Sequence, residues 1–298
     1  MPSSKSFPKA FTLMELSIII LAIGLLIGAI TQSSNLYKKY RLSNAQSFTQ
    51  SSEINGIDGL VLWLDVTSNK SLTNSLGSTN LKDGDLIQSW KSQILQSKNV
   101  FDFTQSLSAK QPTYKEKGIN GLPTLFFKYS ATATLISQLG LAHNFSLSPS
   151  EFTIFSVIQP IFNTVTTKQF LSFKGASGRG FILNKKNTTY LTTVSNALSF
   201  QTWSGSAWSE SVATGMKLST PMLATAMRDS ANSTAYRNGT AGSVITANYE
   251  INSETNSFFY IGGGFDGYIS EIIMFDRALS SEDRQLVEAY LVKKYEIK

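Results

Sequence analysis

One uninterrupted apolar run dominates the start of the chain. After the polar opening MPSSKSFPKA, residues 11–30 read FTLMELSIIILAIGLLIGAI, where Glu15 is the one ionisable side chain. Twenty residues rising 1.5 Å each as a helix reach about 30 Å, the hydrocarbon thickness of a bilayer, so the run predicts a membrane-spanning helix. From Thr31 to Ser52 no Gly or Pro interrupts, and Leu36, Tyr40, Ala45 and Phe48 recur at a loose helical spacing, which extends the helix past the membrane. Gly56 and Asp58-Gly59 then end it.

Beyond Gly56 the pattern changes to short runs of β-branched and aromatic residues between Gly, Asn, Asp and Ser clusters. Strands are expected at 61–66, 124–127, 152–159, 170–173, 222–228, 258–261 and 268–275. Within 152–159, Phe152, Ile154 and Ile158 fall on one face and Phe155 and Val157 on the other, which predicts a central strand buried on both sides. Asn238-Gly239 between extended segments predicts a tight hairpin. Many strands with few helical runs argue for a β-sandwich or barrel. The chain closes with a helix over 281–295, capped by Ser280 with Asp283 three residues on, and striped by Leu286, Val287, Tyr290 and Leu291. The organisation expected is a leader at 1–10, an apolar helix at 11–55 and a mainly β domain at 57–298.

Composition narrows the chemistry. The 298 residues contain no Cys and one His, His143, which excludes disulfides, thiol nucleophiles and cysteine-ligated metals and leaves any Ser-His-Asp device a single candidate base. Charged residues make up 15%, against a typical quarter or so, and the net charge of +6 is scattered along the chain. Nucleic-acid binding is not expected. A hydrophobic share of 42% is enough to build a sizeable core.

Two plain readings fit the N-terminus. A secretory signal peptide has a basic start and a short apolar run, but here the run is long and TQSSNLYKKY follows it without an A-x-A-like site. A simple anchor tolerates Glu15 near one end of the span, yet gives an intramembrane acid no task. The segment more closely resembles the N-terminus of type IV prepilins and the pseudopilins of type II secretion. The residues that carry the resemblance are Lys9, the small Ala10, then Phe11-Thr12-Leu13-Met14-Glu15-Leu16, the apolar run and Gly24. It implies that a prepilin peptidase cuts between Ala10 and Phe11 and methylates the new amine. It also implies that Glu15, with Thr12 beside it, serves filament assembly by meeting the N-terminus of a neighbouring subunit. The chain departs from the pattern with Ala10 in place of the usual Gly and Gln32 where major pilins commonly carry Pro.

Residues 57–298 resemble the laminin-G-like, concanavalin A-like jelly rolls of bacterial surface proteins. The resemblance is carried by GLVLWLD at 59–65, Trp90, QPTY at 111–114, INGLPTLFF at 119–127, FTIFSVIQP at 152–160, YRNG at 236–239 and FDGYISEIIMFDRALSSEDRQLVEAYLVKKY at 265–295. This sandwich hosts both binders and glycosidases, so the fold alone assigns no function. Glycosidases need two carboxylates flanking the sugar. Glu271 stands alone in its strand and Glu282 with Asp283 belongs to the helix start, so no catalytic residue is expected. Asp83, Asp85, Asp229 and Asp266 are oxygen donors of the kind calcium takes, but no fixed spacing assigns a site. No metal or cofactor is therefore assigned, and calcium is the one ion these donors leave open. KGASGRG at 174–180 lacks the Gly-Lys-Ser/Thr of a phosphate loop and reads as an inter-strand loop. His143 reads as a surface loop residue. Trp203 and Trp208 flank a polar turn, where indoles either pair across strands or stack on a sugar.

Taken together, the two resemblances imply a single-pass protein of the bacterial cytoplasmic membrane with an exported C-terminal domain that then enters an extracellular or periplasmic filament. It would be a minor pilin or pseudopilin displaying an adhesion module, with other pilin subunits and a glycan or protein ligand as partners. The alternative is a membrane-anchored carbohydrate-binding protein that does not assemble.

Overall fold

The structure, a computed structural model, describes residues 12–68, 71–94, 102–128, 139–143, 151–161, 168–174, 180–186, 197–204, 206–246 and 257–298. The chain divides into two units, Met1–Ser43 and Asn44–Lys298. Ala10 and Phe11, the expected cleavage pair, lie outside the described residues.

The first unit is helical. Helix α1 runs over Leu13–Gln50, and its stretch Leu13–Ile30, of mean hydropathy 2.6, is long and apolar enough to cross a membrane. None of that stretch is buried. Leu13, Ile20, Leu25 and Ile30 are each more than half exposed, a cost that water would impose on every one of them and a bilayer would remove.

The second unit opens with the last turns of α1 and a 3₁₀ turn at Glu53–Gly56. Its strands follow in order as β1 (Leu60–Asp65), β2 (Leu72–Asn74), β3 (Ile87–Lys91), β4 (Asp102–Thr104), β5 (Thr113–Lys115), β6 (Thr124–Phe127), β7 (Leu139–His143), β8 (Phe152–Pro160) and β9 (Lys168–Lys174). There follow β10 (Gly180–Lys186), β11 (Ala197–Trp203), β12 (Trp208–Ala213), β13 (Met222–Asp229), β14 (Asn232–Arg237), β15 (Thr240–Thr246), β16 (Ser257–Ile261) and β17 (Gly267–Phe275). Helix α2 (Ser281–Tyr295) closes the chain. One sheet has the order β15-β14-β13-β8-β17-β6-β5, with β1 also on β17, and the other runs β12-β11-β10-β9-β16-β7-β4-β3-β2. All the ladders among the described residues are antiparallel. The fold is thus a mainly β sandwich behind an apolar helix, with a short C-terminal helix.

Alternation along the central strands builds two cores. Phe152, Ile154 and Ile158 of β8 join Phe127, Phe181, Phe200 and Phe259 in the layer that draws on both sheets. Phe155 and Val157 point the other way, into a second cluster with Trp63, Ile273, Phe275 and the α2 residues Val287, Leu291 and Tyr295. β8 lies between β13 and β17, which is why both of its faces are apolar. The β14–β15 connection is the expected tight turn, with Asn238 at φ 48° and Gly239 at φ 78°, the left-handed pair that a type I′ turn requires. At the start of α2 the Ser280 hydroxyl accepts from the Asp283 N–H at 3.0 Å and donates to its carboxylate at 2.9 Å.

Two local expectations change. The helix ends at Gln50 rather than near 55, and the compact unit takes in its final turns from Asn44. Ala45 and Ile54 are both buried in the second cluster, so tertiary packing rather than the first glycine sets the boundary. His143 is the last residue of β7, paired with Ser257, rather than a loop residue.

Candidate functional site

Among the described residues, the head of α1, the β11–β12 hairpin and a buried cluster around Glu271 bear most directly on function. At the head of α1, Thr12 and Glu15 form a reciprocal cap. The Thr12 N–H and hydroxyl donate to Glu15 Oε2 at 2.8 and 2.9 Å, and the Glu15 N–H donates to the Thr12 hydroxyl at 3.2 Å. This Thr-x-x-Glu arrangement satisfies helix-start donors that otherwise have no partner. The sequence singled out Glu15 for its place in an apolar run, and the structure adds this local role.

Trp203 and Trp208 face each other across the β11–β12 hairpin. Their ring centroids are 5.0 Å apart at 43°, and Trp208 is 43% exposed. The tryptophans packed into the cores are Trp63 and Trp90. Trp203 is half-buried, so the pair is a cross-strand contact that offers an aromatic surface to solvent mainly through Trp208.

The third place was missed by sequence reasoning. Glu271 is not alone: it pairs across the β1–β17 ladder with Asp65, and both are fully buried. Lys294 of α2 reaches between them, with Nζ 2.6 Å from Asp65 Oδ2 and 2.6 Å from Glu271 Oε2 and no side-chain exposure on any of the three. Nζ also lies 2.8 Å from the Thr49 hydroxyl and 3.1 Å from the Tyr290 hydroxyl. Asp65 Oδ1 accepts from the Thr67 N–H at 2.8 Å and its hydroxyl at 2.7 Å, while Thr49 donates to Oδ2 at 2.9 Å. Glu271 Oε1 accepts from Trp63 Nε1 at 2.7 Å and Tyr290 at 2.9 Å. Burial, reinforced by the charge of Asp65, pushes the Glu271 carboxyl up to about 7 despite the opposing pull of Lys294. For Lys294, burial works against its charge, but Asp65 and Glu271 outweigh it and raise the ammonium's pKa. Beside Asp65 lies a cavity of about 140 Å³, lined also by Gln46, Thr49, Gln50, Ser68 and Gln93. The one available sequence signal was an acid or a lysine set inside an otherwise apolar run or stripe, as at Asp65, Glu271 and Lys294.

The loop aspartates act locally. Asp83 accepts from the Glu116 N–H and pairs with Lys115, Asp85 from the Lys82 N–H and Asn74, and Asp229 from the N–H groups of Ala231 and Asn232. Among the described residues no group of three or more His, Asp or Glu is arranged to hold a metal ion. Of KGASGRG, residues 175–179 lie outside the described residues, and its ends, Lys174 and Gly180, pair in the β9–β10 ladder.

Residues 137–283, from just before β7 to the first turn of α2, match the concanavalin A-like lectin/glucanases superfamily. No curated protein matches the chain. Similar solved structures include domain 4 of a GH43 extracellular arabinanase from Geobacillus stearothermophilus in complex with arabinotriose, 15% identical, covering 76% of this chain and 97% of that one, with a TM-score of 0.49. The botulinum neurotoxin serotype D binding domain is 11% identical over 81% of this chain and 53% of its own, with a TM-score of 0.49. Trypanosoma rangeli sialidase is 12% identical over 81% and 34%, with a TM-score of 0.42. Behind its N-terminal apolar helix, this chain thus folds as a mainly β, concanavalin A-like sandwich, within which residues 137–283 are similar to that superfamily.

Proposed function

We propose that the chain is a prepilin-like subunit, a minor pilin or pseudopilin, that displays its concanavalin A-like domain as a non-enzymatic binding or adhesion module. The observation that carries this reading is helix α1 itself. Its first eighteen residues are apolar and unburied and hold a single acid, Glu15, while its last turns enter the core of the sandwich through Ala45 and Thr49. A helix that is continuous from an assembly segment to a displayed domain suits a filament subunit. Cleavage before Phe11 would place a charged amine in hydrocarbon near Glu15 of a neighbour, and each charge offsets the other's desolvation cost. The binding role is supported by the superfamily match and by the Trp203–Trp208 pair, in which Trp208 is exposed. The same pair favours the second reading, an anchored carbohydrate-binding protein that does not assemble. Hydrolysis lacks support because the Asp65–Glu271 carboxylate pair is fully buried under Lys294, where no sugar ring can enter between them.

Glu15→Gln tests assembly. Glutamine keeps an acceptor for the Thr12 cap but removes the charge, whereas Glu15→Ala removes both. Intersubunit charge pairing predicts that both variants are exported and that both drop out of sheared filaments. Normal incorporation of Glu15→Gln would reduce Glu15 to a helix cap and contradict the reading.

A further inference from the structure

The Lys294 cluster holds an amine and two carboxyls in contact, with no exposure of any of the three side chains, at the junction of the first strand, the last strand and the last helix. Such a trio is costly as an ion cluster, because each charge taken out of water is repaid only by near-ideal geometry. It has a lower-charge outcome. We propose that Lys294 and Asp65 condense into an intramolecular amide that ties β1 to α2, with Glu271 as the proton relay.

The atoms for this step are already placed. Nζ touches Asp65 Oδ2 at 2.6 Å, so the Asp65 carbonyl carbon is the electrophile next to it. The tetrahedral intermediate puts negative charge on Oδ1, where the Thr67 N–H and hydroxyl already donate at 2.8 and 2.7 Å, an oxyanion-stabilising arrangement. Glu271 Oε2 sits 2.6 Å from Nζ on the other side, and burial keeps this acid protonated up to about pH 7. The bookkeeping of protons is complete. The Nζ–C bond forms and the C–Oδ2 bond breaks. The ammonium gives up two protons, which leave with Oδ2 as one water, and Glu271 lends a proton to Oδ2 and regains one from nitrogen. No oxidant, metal or nucleotide is consumed. Asp65, unlike Glu271, lines the polar cavity of about 140 Å³, which receives the released water. The bond would close a loop between positions 229 residues apart, joining the two ends of the sandwich domain. This inference stands independently of filament assembly.

Mass spectrometry of tryptic peptides from the full-length chain, extracted in detergent and denatured, tests it. Trypsin does not cut after an acylated lysine, so residues 42–70, which contain Asp65, should be found joined to residues 294–298, at the sum of their masses less one water. Fragmentation should place the link on Asp65 and Lys294. Glu271→Gln, a near-isosteric change, should slow the linkage by about a hundredfold or more, and Asp65→Ala should abolish it. Recovery of residues 42–70 only as a free linear peptide from folded wild-type protein would overturn the proposal, and so would a link carried by Glu271.

Discussion

Tryptophans at four positions separate packing from surface chemistry at the scale of single residues. Trp63 is buried and donates to Glu271, and Trp90 is buried in the main core, so truncating either to Ala should cost about 3 to 5 kcal/mol. Trp203 and Trp208 lie on a hairpin rim, and Trp208→Ala should cost no more than about 1 kcal/mol, in line with an exposed cross-strand pair. Paired thermal melts of Trp63→Ala and Trp208→Ala check this, and equal losses would contradict the assignment. If the rim pair binds glycans, Trp208→Ala weakens binding on a glycan array while the melt hardly moves. Glu271 makes a second prediction. Its folded pKa near 7 lies above the usual 4.5, so the folded state binds a proton that the unfolded state has released. Its contribution to stability therefore falls as pH rises from about 4.5 to 7, by something on the order of 3 kcal/mol, and is flat above that. Melting temperatures of wild type and Glu271→Gln across that window should show the slope in wild type only. A slope retained in Glu271→Gln would assign it to another group.

At the scale of elements, local signals were legible and long-range pairings were not. The cap of α2, the Asn238-Gly239 turn and the two-faced β8 are each written in a few adjacent residues, because helix caps and tight turns are local physics. The Asp65–Glu271–Lys294 contact depends on strands and a helix far apart in sequence, and one acid in an apolar strand does not announce its partner. The end of α1 was misplaced for a related reason. Glycine marks where a helix can stop, whereas burial of Ala45 and Ile54 decides which turns belong to the domain. A fragment beginning at Asn44 should therefore be more stable than one beginning at Ile57, which lacks the Ala45 and Ile54 packing and the Thr49 hydrogen bonds to Asp65 and Lys294. The expected difference is about 3 kcal/mol or more, roughly 6 to 12 °C in melting temperature for a unit of this size. Identical melts would show that the helix end is an accessory to the fold.

At the scale of the whole molecule, the chain holds an unburied apolar stretch at Leu13–Ile30 and, as a separate unit, a large sandwich with one sheet face covered by α2 and the last turns of α1. On the proposed reading such a molecule has two tasks, one in the membrane and one outside it, tied through maturation at the N-terminus. The most direct measurement is the start of the mature chain, read by N-terminal mass spectrometry of the protein from the membrane fraction of cells that carry a prepilin peptidase. The account predicts a first residue of Phe11 bearing a methylated amine. Loss of Lys5 and Lys9 with the leader takes the side-chain charge from +6 to +4, so the product also shifts in isoelectric focusing. A chain that begins at Met1, or beyond Ile30, would contradict the prepilin reading and leave the domain on a plain anchor or a secretory signal.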